Sequence, residues 1–402
     1  MEAKEIFNKL KPLIIVILLF SIVFFIRAEA ANLSSLPGDL KAFYQDDDGL
    51  PYFSEMDSYY NYRLTADYLD HGYPGDTKMN GKNWDLHSNY PPGRSAEYPP
   101  LIIYVTAGAY FLVNLVATVP LTVVSFWMSA FIGSLCVIPA YFMVRRLTND
   151  YGGITAGLLV ALAPAYFNHS FAGFFDTDMF NILLPLLVVW MLVESIRADD
   201  LKNKAIFAAL SAVSMLIFST AWEGWWYIFY IVVLASLVYL VVSRYLLNQD
   251  KKPREDFSNR KEWFLNQPVL LPLAIFVILG SVLMMISMGV LDFFNALVQP
   301  VGFTQLQEST QVTSYPNVYV SVAELQIPSI SHVLDGVGGI LAFTFGIISV
   351  FWLFRKIKTP LPENKSKIKK KPRKRKDSQK RRREKELDLK EDEKVVPPSV
   401  PH

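Results

Sequence analysis

Long apolar runs separated by short polar segments dominate the chain up to the region of residue 355. A helix needs about 20 apolar residues to cross the hydrocarbon core of a bilayer, and it satisfies its own backbone hydrogen bonds there. The pattern therefore predicts an all-α polytopic membrane protein. The predicted spans are residues 12–26, 123–144, 152–166, 179–196, 205–220, 226–242, 269–286 and 337–354.

The apolar run at residues 101–119 is a separate case because it follows a Pro-rich loop. Counting it as a full span would place Arg145 and Arg146 on the opposite side of the membrane from the other basic segments. We therefore interpret this run as an interfacial or re-entrant helix.

The main basic segments fall on one side of the predicted topology. They lie at residues 4–11, 145–146, 197–204, 244–261 and 355–383. Because Lys and Arg concentrate in cytoplasmic loops, we predict a multi-pass protein of the cell membrane with a cytoplasmic N-terminus and C-terminal tail. The loops at residues 32–100, 167–178 and 288–335 then face the extracytoplasmic side, where we expect the active site.

The same pattern divides the chain into four regions. Residues 1–31 form an N-terminal signal-anchor helix, and residues 32–122 form a first outer loop with interfacial helices and a first acidic motif. Residues 123–355 form the multi-span core, with a second acidic motif and a Glu-bearing outer loop. Residues 356–402 form a basic cytoplasmic tail, which we expect to be disordered because it has almost no apolar residues to bury.

Composition agrees with the membrane assignment, since 52% of the residues are hydrophobic and 14% are aromatic. The net charge of +2 conceals acids in the first outer loop and bases in the tail. The single cysteine, Cys136, excludes an internal disulfide framework and a cysteine-based metal cage. We expect the tail to be a solvated segment that fixes orientation, with binding to anionic lipid or RNA as the alternative.

Three acidic positions lie where an outer-face site would form: Asp57, the pair Asp176 and Asp178, and Glu324. Two aspartates one residue apart bring together hard oxygen ligands of the kind that Mg²⁺ or Mn²⁺ requires. Asp178 also directly precedes an apolar helix, so a role as its N-terminal cap is the alternative.

The other acids of the outer face are weaker signals when they are read one by one. A loop carboxylate such as Asp57 or Glu324 is usually only solvated. Asp46-Asp47-Asp48 competes with Asp57 as a cation site, although Gly49 and Pro51 favour a solvated turn there. The residues alone leave this choice open.

Three motifs in this order resemble those of oligosaccharyltransferase catalytic subunits, and the archaeal dolichyl-linked type is the nearest. The first is EMDSYYNYR at residues 55–63, followed by YLDHG at residues 68–72. The second is YFNHSFAGFFDTDM at residues 166–179, and the third is SVAE at residues 321–324. Together they span almost the whole membrane portion of the chain.

The resemblance implies a GT-C type glycosyltransferase transmembrane domain with Mg²⁺ or Mn²⁺ held by Asp57, Asp176 and Asp178. It implies that Asp57 and Glu324 are catalytic and act on the acceptor amide, and that His169 contacts the donor phosphate. The implied reaction is inverting transfer of an oligosaccharide from a dolichyl phosphate or pyrophosphate carrier to asparagine of proteins. The implied partners are the lipid-linked oligosaccharide, an acceptor polypeptide with Asn-x-Ser/Thr and membrane lipids; no nucleic acid is expected.

The chain departs from the family pattern after residue 355. The family continues with further spans and an outer domain that reads the Ser or Thr of the acceptor, so we expect an incomplete or split chain with a separately encoded C-terminal domain. A noncatalytic membrane assembly subunit and a cation-coupled transporter are the alternatives. The near absence of ionisable residues from the predicted mid-span positions disfavours transport.

Reporter fusions test the predicted orientation. Tags before Lys4 and after Pro398 should both report the cytoplasm, and a tag near Gly81 should report the outer face, because the basic segments resist translocation. A tag that places the C-terminus outside would overturn the arrangement.

Overall fold

The computed structural model describes residues 2–89, 91–96, 100–245, 268–308 and 329–357. The chain divides into two compact units, Met1–Ile347 and Ile348–His402, and in the second unit residues 348–357 are helical. Glu324 and nearly all of the predicted tail lie outside the described residues.

The described part of the chain is mostly helical, as the apolar runs predict. The helices are α1 (Glu2–Ala28), α2 (Gly38–Lys41), α3 (Met56–His71), α4 (Leu101–Asn114), α5 (Leu121–Ser134), α6 (Val137–Leu147), α7 (Asp150–Ala161), α8 (Pro164–Phe167), α9 (Phe180–Arg197), α10 (Leu201–Ser219), α11 (Trp226–Tyr245), α12 (Leu270–Met288), α13 (Val290–Glu308), α14 (Ile330–Gly336) and α15 (Gly339–Ile357). Three short strands, β1 (Thr77–Met79), β2 (Lys82–Asp85) and β3 (Arg94–Ser95), form an antiparallel sheet in that order.

Six helical segments of the described residues are long and apolar enough to cross a membrane, and α14 with α15 adds a seventh if the bent pair counts as one span. This confirms a multi-pass helical membrane protein. Eight spans were predicted, and the one at residues 152–166 is wrong as a single helix. There α7 ends at Ala161, and Pro164, which has no N–H to donate, begins the separate helix α8.

Close helix packing builds the bundle. Helix α9 packs along α10, α10 along α12, and α6 along α7. Helix α7 comes so close to α6 that a Cβ placed on Gly153 would lie 2.8 Å from the Tyr141 carbonyl oxygen. In a bilayer no hydrophobic effect drives helices together, so close packing must hold them. Small residues at such contacts allow the helix backbones to approach closely enough for this packing.

In the first outer loop, α3 is tied to the strands that follow it. Arg63 of α3 forms ion pairs with the fully buried Asp85, at 2.7 Å between Nη2 and Oδ2, and with Asp76, at 3.5 Å. Helix α3 ends at His71, and the Gly72 that follows has a φ of 84°, the left-handed conformation that glycine adopts at helix ends. The sheet and its ion pairs thus fix α3, which begins at the first acidic motif.

Two helical features lie where the sequence predicted an outer loop at residues 288–335. Helix α13 begins at Val290, and α14 packs against α8 so closely that a Cβ on Gly336 would lie 3.3 Å from the Ala165 Cβ. Helices α14 and α15 are bent by 82°, with Gly338 and Gly339 at positive φ between them. The chain that follows residues 309–328 therefore returns to α8, just before the second acidic motif.

Candidate functional site

The start of α3 and the segment before α9 are joined by hydrogen bonds at the acidic motifs. The Phe175 N–H donates to Ser58 Oγ at 2.8 Å. Asn61 Nδ2 donates to the Phe175 carbonyl at 3.3 Å and to Asp176 Oδ1 at 3.1 Å. Ser58 and Asn61 are both buried, so these bonds are shielded from water. The structure therefore brings the first and second acidic motifs together.

A second set of contacts fixes the backbone just before the Asp-x-Asp pair. The Ser54 N–H donates to the Gly173 carbonyl at 3.0 Å, and the rings of Phe53 and Phe175 stack with centroids 6.0 Å apart. Gly173 has a φ of 96°, and a Cβ there would lie 2.7 Å from Phe126 Cε2. Only glycine meets both conditions without rearrangement.

Asp57 lies in the first turn of α3, where Glu55 is the N-cap. The Glu55 carboxylate accepts from the Asp57 N–H at 2.7 Å and from the Ser58 N–H at 2.6 Å. Capping by a carboxylate satisfies backbone donors that the helix leaves free. The Asp57 side chain is exposed and remains available for a ligand.

Asp176, and not Asp178, is the capping residue of the second motif. Its carboxylate accepts from the Thr177 N–H at 2.6 Å and caps the 3₁₀ turn Thr177–Met179, which leads directly into α9. Asp178 lies inside this turn and accepts from Asn181 Nδ2 at 2.8 Å. The structure therefore assigns the cap to Asp176 and not, as the sequence alternative had it, to Asp178.

Burial and crowding of carboxylates raise the pKa of Asp176 to about 7 from its ordinary value of 3.8. Burial is the largest cause, repulsion by Asp178 comes second, and Glu55 and Asp57 add smaller repulsion. The hydrogen bond from the Thr177 N–H opposes these effects. The four carboxylates are thus close enough to interact, and their charges favour a cation among them.

Two buried amide oxygens beside these aspartates have no hydrogen-bond partner among the described residues. They are Oδ1 of Asn61 and Oδ1 of Asn181. The orientation of each amide follows from its nitrogen, which donates to Asp176 or to Asp178 respectively. Carboxylate and amide oxygens are the ligand types that Mg²⁺ and Mn²⁺ prefer, directly or through bound water. The donor set therefore fits a hard divalent cation.

The spacing of the expected ligands is wider than in a closed metal site. Among the described residues, the set of possible ligand atoms that lie within 4.8 Å of one another comes from Asp76, Asp85 and His87, not from Asp57, Asp176 and Asp178. In the former set, Arg63 already pairs with both aspartates. Burial raises the pKa of Asp85, but hydrogen bonds from Ser88 and Arg63 outweigh it and bring the pKa to about 2.

His169 lies beside the second motif, on the turn after α8. Its Nδ1 is 2.7 Å from the Ala165 carbonyl oxygen, so in this arrangement Nδ1 carries the proton and donates. Its ring packs edge-on against Phe174 with centroids 5.2 Å apart. His169, Asp178 and Asn181 line one pocket of about 180 Å³.

Sequence reasoning missed Glu55, Ser58 and Asn61 as parts of the site. Glu55, Ser58 and Asn61 stand within the first motif, but nothing in their order shows that two of them bond a segment more than a hundred residues away. Glu324 lies outside the described residues, so its expected place at the site stays a prediction.

Comparison with protein families identifies a match over most of the chain. The family described as oligosaccharyl transferase STT3, N-terminal, matches residues 14–356. A dolichyl-phosphooligosaccharide-protein glycotransferase of Methanococcus voltae is 31% identical over 373 residues, covering 88% of this chain and 40% of the relative. The protein of the same name from Methanocaldococcus jannaschii is 27% identical and covers 80% and 42%. The chain thus spans about two fifths of the length of these relatives.

Solved structures share the fold. Archaeoglobus fulgidus oligosaccharyltransferase AglB, in complex with an inhibitory peptide and a dolichol-phosphate, superimposes with a TM-score of 0.54 at 14% identity, covering 87% of this chain and 38% of that one. Its complex with Zn and sulfate gives a TM-score of 0.51 at 14% identity and covers 84% and 40%. A third structure of that enzyme is tethered to an acceptor peptide containing the NVT sequon, with a TM-score of 0.51 at 13% identity, covering 87% and 39%.

The raised pKa of Asp176 predicts a pH-dependent stability. Because the folded state binds this proton more tightly than the unfolded state, the stabilising effect is complete below the ordinary pKa of 3.8 and is lost as the pH rises through about 7. We expect the melting temperature of the EDTA-treated chain to fall from about pH 4 to about pH 7, and Asp176→Asn to flatten that fall.

Asp47→Asn is the control, because Asp47 is an exposed acid in the first outer loop and carries the same charge change. It should leave the pH profile unchanged. An Asp176→Asn profile that follows the wild type would mean that Asp176 keeps an ordinary pKa.

Proposed function

The chain belongs to the STT3 family of oligosaccharyltransferases, and on this basis we propose that it contributes the membrane part of a protein N-glycosylation site. The proposed reaction is inverting transfer of an oligosaccharide from a dolichyl phosphate or pyrophosphate carrier to asparagine in an Asn-x-Ser/Thr acceptor. The observation that carries the proposal is the meeting of the two acidic motifs through Ser58 and Asn61. Activity, donor and acceptor are all part of the proposal, since the chain spans about two fifths of its relatives.

Asp57, Asp176 and Asp178 would hold Mg²⁺ or Mn²⁺. The raised pKa of Asp176 and the partnerless amide oxygens of Asn61 and Asn181 support this role. A bound divalent cation would stabilise negative charge on the leaving phosphate. The Zn in the Archaeoglobus fulgidus structure shows a metal in a protein of the same fold, but it does not choose between Mg²⁺ and Mn²⁺ here.

Asp57 and Glu324 would act on the acceptor. An amide nitrogen is a poor nucleophile because its lone pair is delocalised into the carbonyl. Two carboxylates that accept both N–H groups weaken this delocalisation, and the nitrogen then attacks the anomeric carbon as the bond from that carbon to the phosphate oxygen breaks. The oxygen leaves with the electron pair, and a carboxylate takes the amide proton. The exposure of Asp57 suits this contact.

His169 would contact the donor phosphate. It is exposed, it shares a pocket with Asp178, and its Nδ1 is engaged by the Ala165 carbonyl, which leaves Nε2 for a ligand. A histidine can present a charge that depends on pH, whereas arginine presents a fixed one. In the proposed orientation this pocket opens on the extracytoplasmic side, where the acceptor polypeptide would arrive.

The first test of the proposal is glycosylation in cells that lack the chromosomal copy of this gene. Asp178→Asn should abolish glycosylation of an endogenous acceptor protein, because a lost ligand weakens metal binding more than folding. Membranes from cells with the wild-type chain should lose transfer in EDTA and regain it with Mn²⁺. Asp47→Asn, with the same charge change in the first outer loop, should keep glycosylation.

Full glycosylation with Asp178→Asn at wild-type protein levels would remove Asp178 from the site. Full glycosylation in cells that lack the chain would contradict the catalytic role. The assembly-subunit and transporter alternatives would then remain.

The second test separates Glu324 from donor binding. Glu324→Gln should bind a lipid-linked donor with nearly unchanged KM but lose most of kcat, because glutamine keeps the shape and loses the charge that acts only on the acceptor amide. Glu308→Gln is the control, since Glu308 is another acid of the region between α12 and α14. A Glu324→Gln chain with unchanged kcat and a raised donor or metal requirement would reassign Glu324 to donor or metal binding.

A further inference from the structure

Arg27 is a fully buried arginine near the end of α1, on the side of the bundle that carries the acidic motifs. Its Nη2 donates to the Ala161 carbonyl at 2.6 Å and to Ser170 Oγ at 3.2 Å, and its Nε donates to Ser170 Oγ at 3.3 Å. Its own carbonyl accepts from the Ala172 N–H at 3.2 Å. One residue of α1 therefore holds both ends of the segment from residue 161 to residue 172.

No carboxylate of the described residues forms an ion pair with Arg27 within 4.0 Å. The positive charge instead lies over the rings of Tyr166 and Phe167, with centroids 5.3 Å and 5.5 Å from the guanidinium carbon. Its buried Nη1 has no hydrogen-bond partner within the described parts of the chain. A buried charge with such incomplete compensation is costly for stability, which points to a task beyond packing.

Tyr166 connects Arg27 to the second acidic motif. Its hydroxyl donates to the Met179 carbonyl at 2.7 Å. Met179 closes the 3₁₀ turn that contains Asp178. A path of direct contacts thus leads from the Arg27 guanidinium through the Tyr166 ring to the turn that presents Asp178.

Tight packing against α5 restricts the side chains of Arg27 and Ser170. Gly133 of α5 lies so near that a Cβ there would be 2.9 Å from the Ser170 Cβ and 3.1 Å from Arg27 Nε. The guanidinium is planar, so it can donate in its plane while its faces meet aromatic rings. A lysine ammonium has no such face and cannot replace both sets of contacts.

We propose that Arg27 is a positioning residue for the second acidic motif: through Ser170 and Tyr166 it sets the place of the turn that carries Asp178. The inference rests on the proposed function in one respect, which is that Asp178 is a metal ligand. Helix α3 holds Asp176 through Asn61 from one side, and α1 holds the Asp178 turn through Arg27 and Tyr166 from the other.

Two measurements on the full chain in lipid nanodiscs test the proposal. Hydrogen–deuterium exchange follows the amides of residues 172–180, and electron paramagnetic resonance gives the affinity for added Mn²⁺. In Arg27→Lys we expect faster exchange in residues 172–180 but not in α3, together with Mn²⁺ affinity about tenfold weaker, as is usual when a residue supporting a ligand is changed. Arg146→Lys is the control, because Arg146 pairs with Glu194 at the opposite end of the bundle.

Tyr166→Phe keeps the ring under Arg27 and removes the hydroxyl, which donates to the Met179 carbonyl at 2.7 Å and more weakly to the Gly133 carbonyl at 3.4 Å. It therefore decides the matter if Arg27→Lys does not fold. Weaker Mn²⁺ binding by Tyr166→Phe with wild-type exchange in α3 supports the proposal. Unchanged exchange at residues 172–180 in the folded variant overturns it. Faster exchange throughout the protein with unchanged Mn²⁺ affinity also overturns it, since that is the signature of a purely structural role.

The two proposals fail in different ways. A wild-type chain that does not bind Mn²⁺ contradicts the metal role of Asp178. The exchange at residues 172–180 then decides alone whether Arg27 positions the turn.

Discussion

The hydrogen bond from the Phe175 N–H to Ser58 Oγ joins residues 117 positions apart, and the site depends on it. Negative charges repel one another, so crowded carboxylates do not gather unless the backbone that carries them is held by other contacts. Here the start of α3 supplies these contacts through Ser58 and Asn61, both buried. The neutral polar residues beside the acidic cluster thus hold its carboxylates together.

The acids of the predicted outer face have two contrasting environments. Around Arg63, the carboxylates of Asp76 and Asp85 are neutralised by an arginine and by hydrogen bonds, and the pKa of Asp85 falls to about 2. Among the described residues, the main groups that shift the pKa of Asp176 are other carboxylates and the Thr177 N–H, and the pKa rises to about 7. The first group stabilises the loop, whereas the second retains an unmet demand for positive charge. That contrast, more than the mere number of acids, distinguishes a structural cluster from a candidate site.

Sequence predicted the helical membrane class because the thickness of a bilayer requires long apolar runs, which are visible without any tertiary information. It did not predict the break at Pro164 correctly, since an apolar run does not show where a helix loses its hydrogen bonds. The acidic residues were selected through family resemblance, because single loop carboxylates carry little signal. Asn61 and Arg27 were missed for a different reason: their partners lie 115 and 143 residues away, and only the fold reveals such distances.

Gly173 and Phe126 show what the close fit around the second motif demands of the sequence. The loop passes α5 with φ at 96° and leaves no room for a Cβ beside the Phe126 ring. A methyl group at position 173 would need both a smaller residue at 126 and a different backbone conformation. A single substitution cannot supply both at once, so in evolutionary terms a side chain can appear at position 173 only after position 126 has become smaller. The route by which this loop diverges is correspondingly narrow.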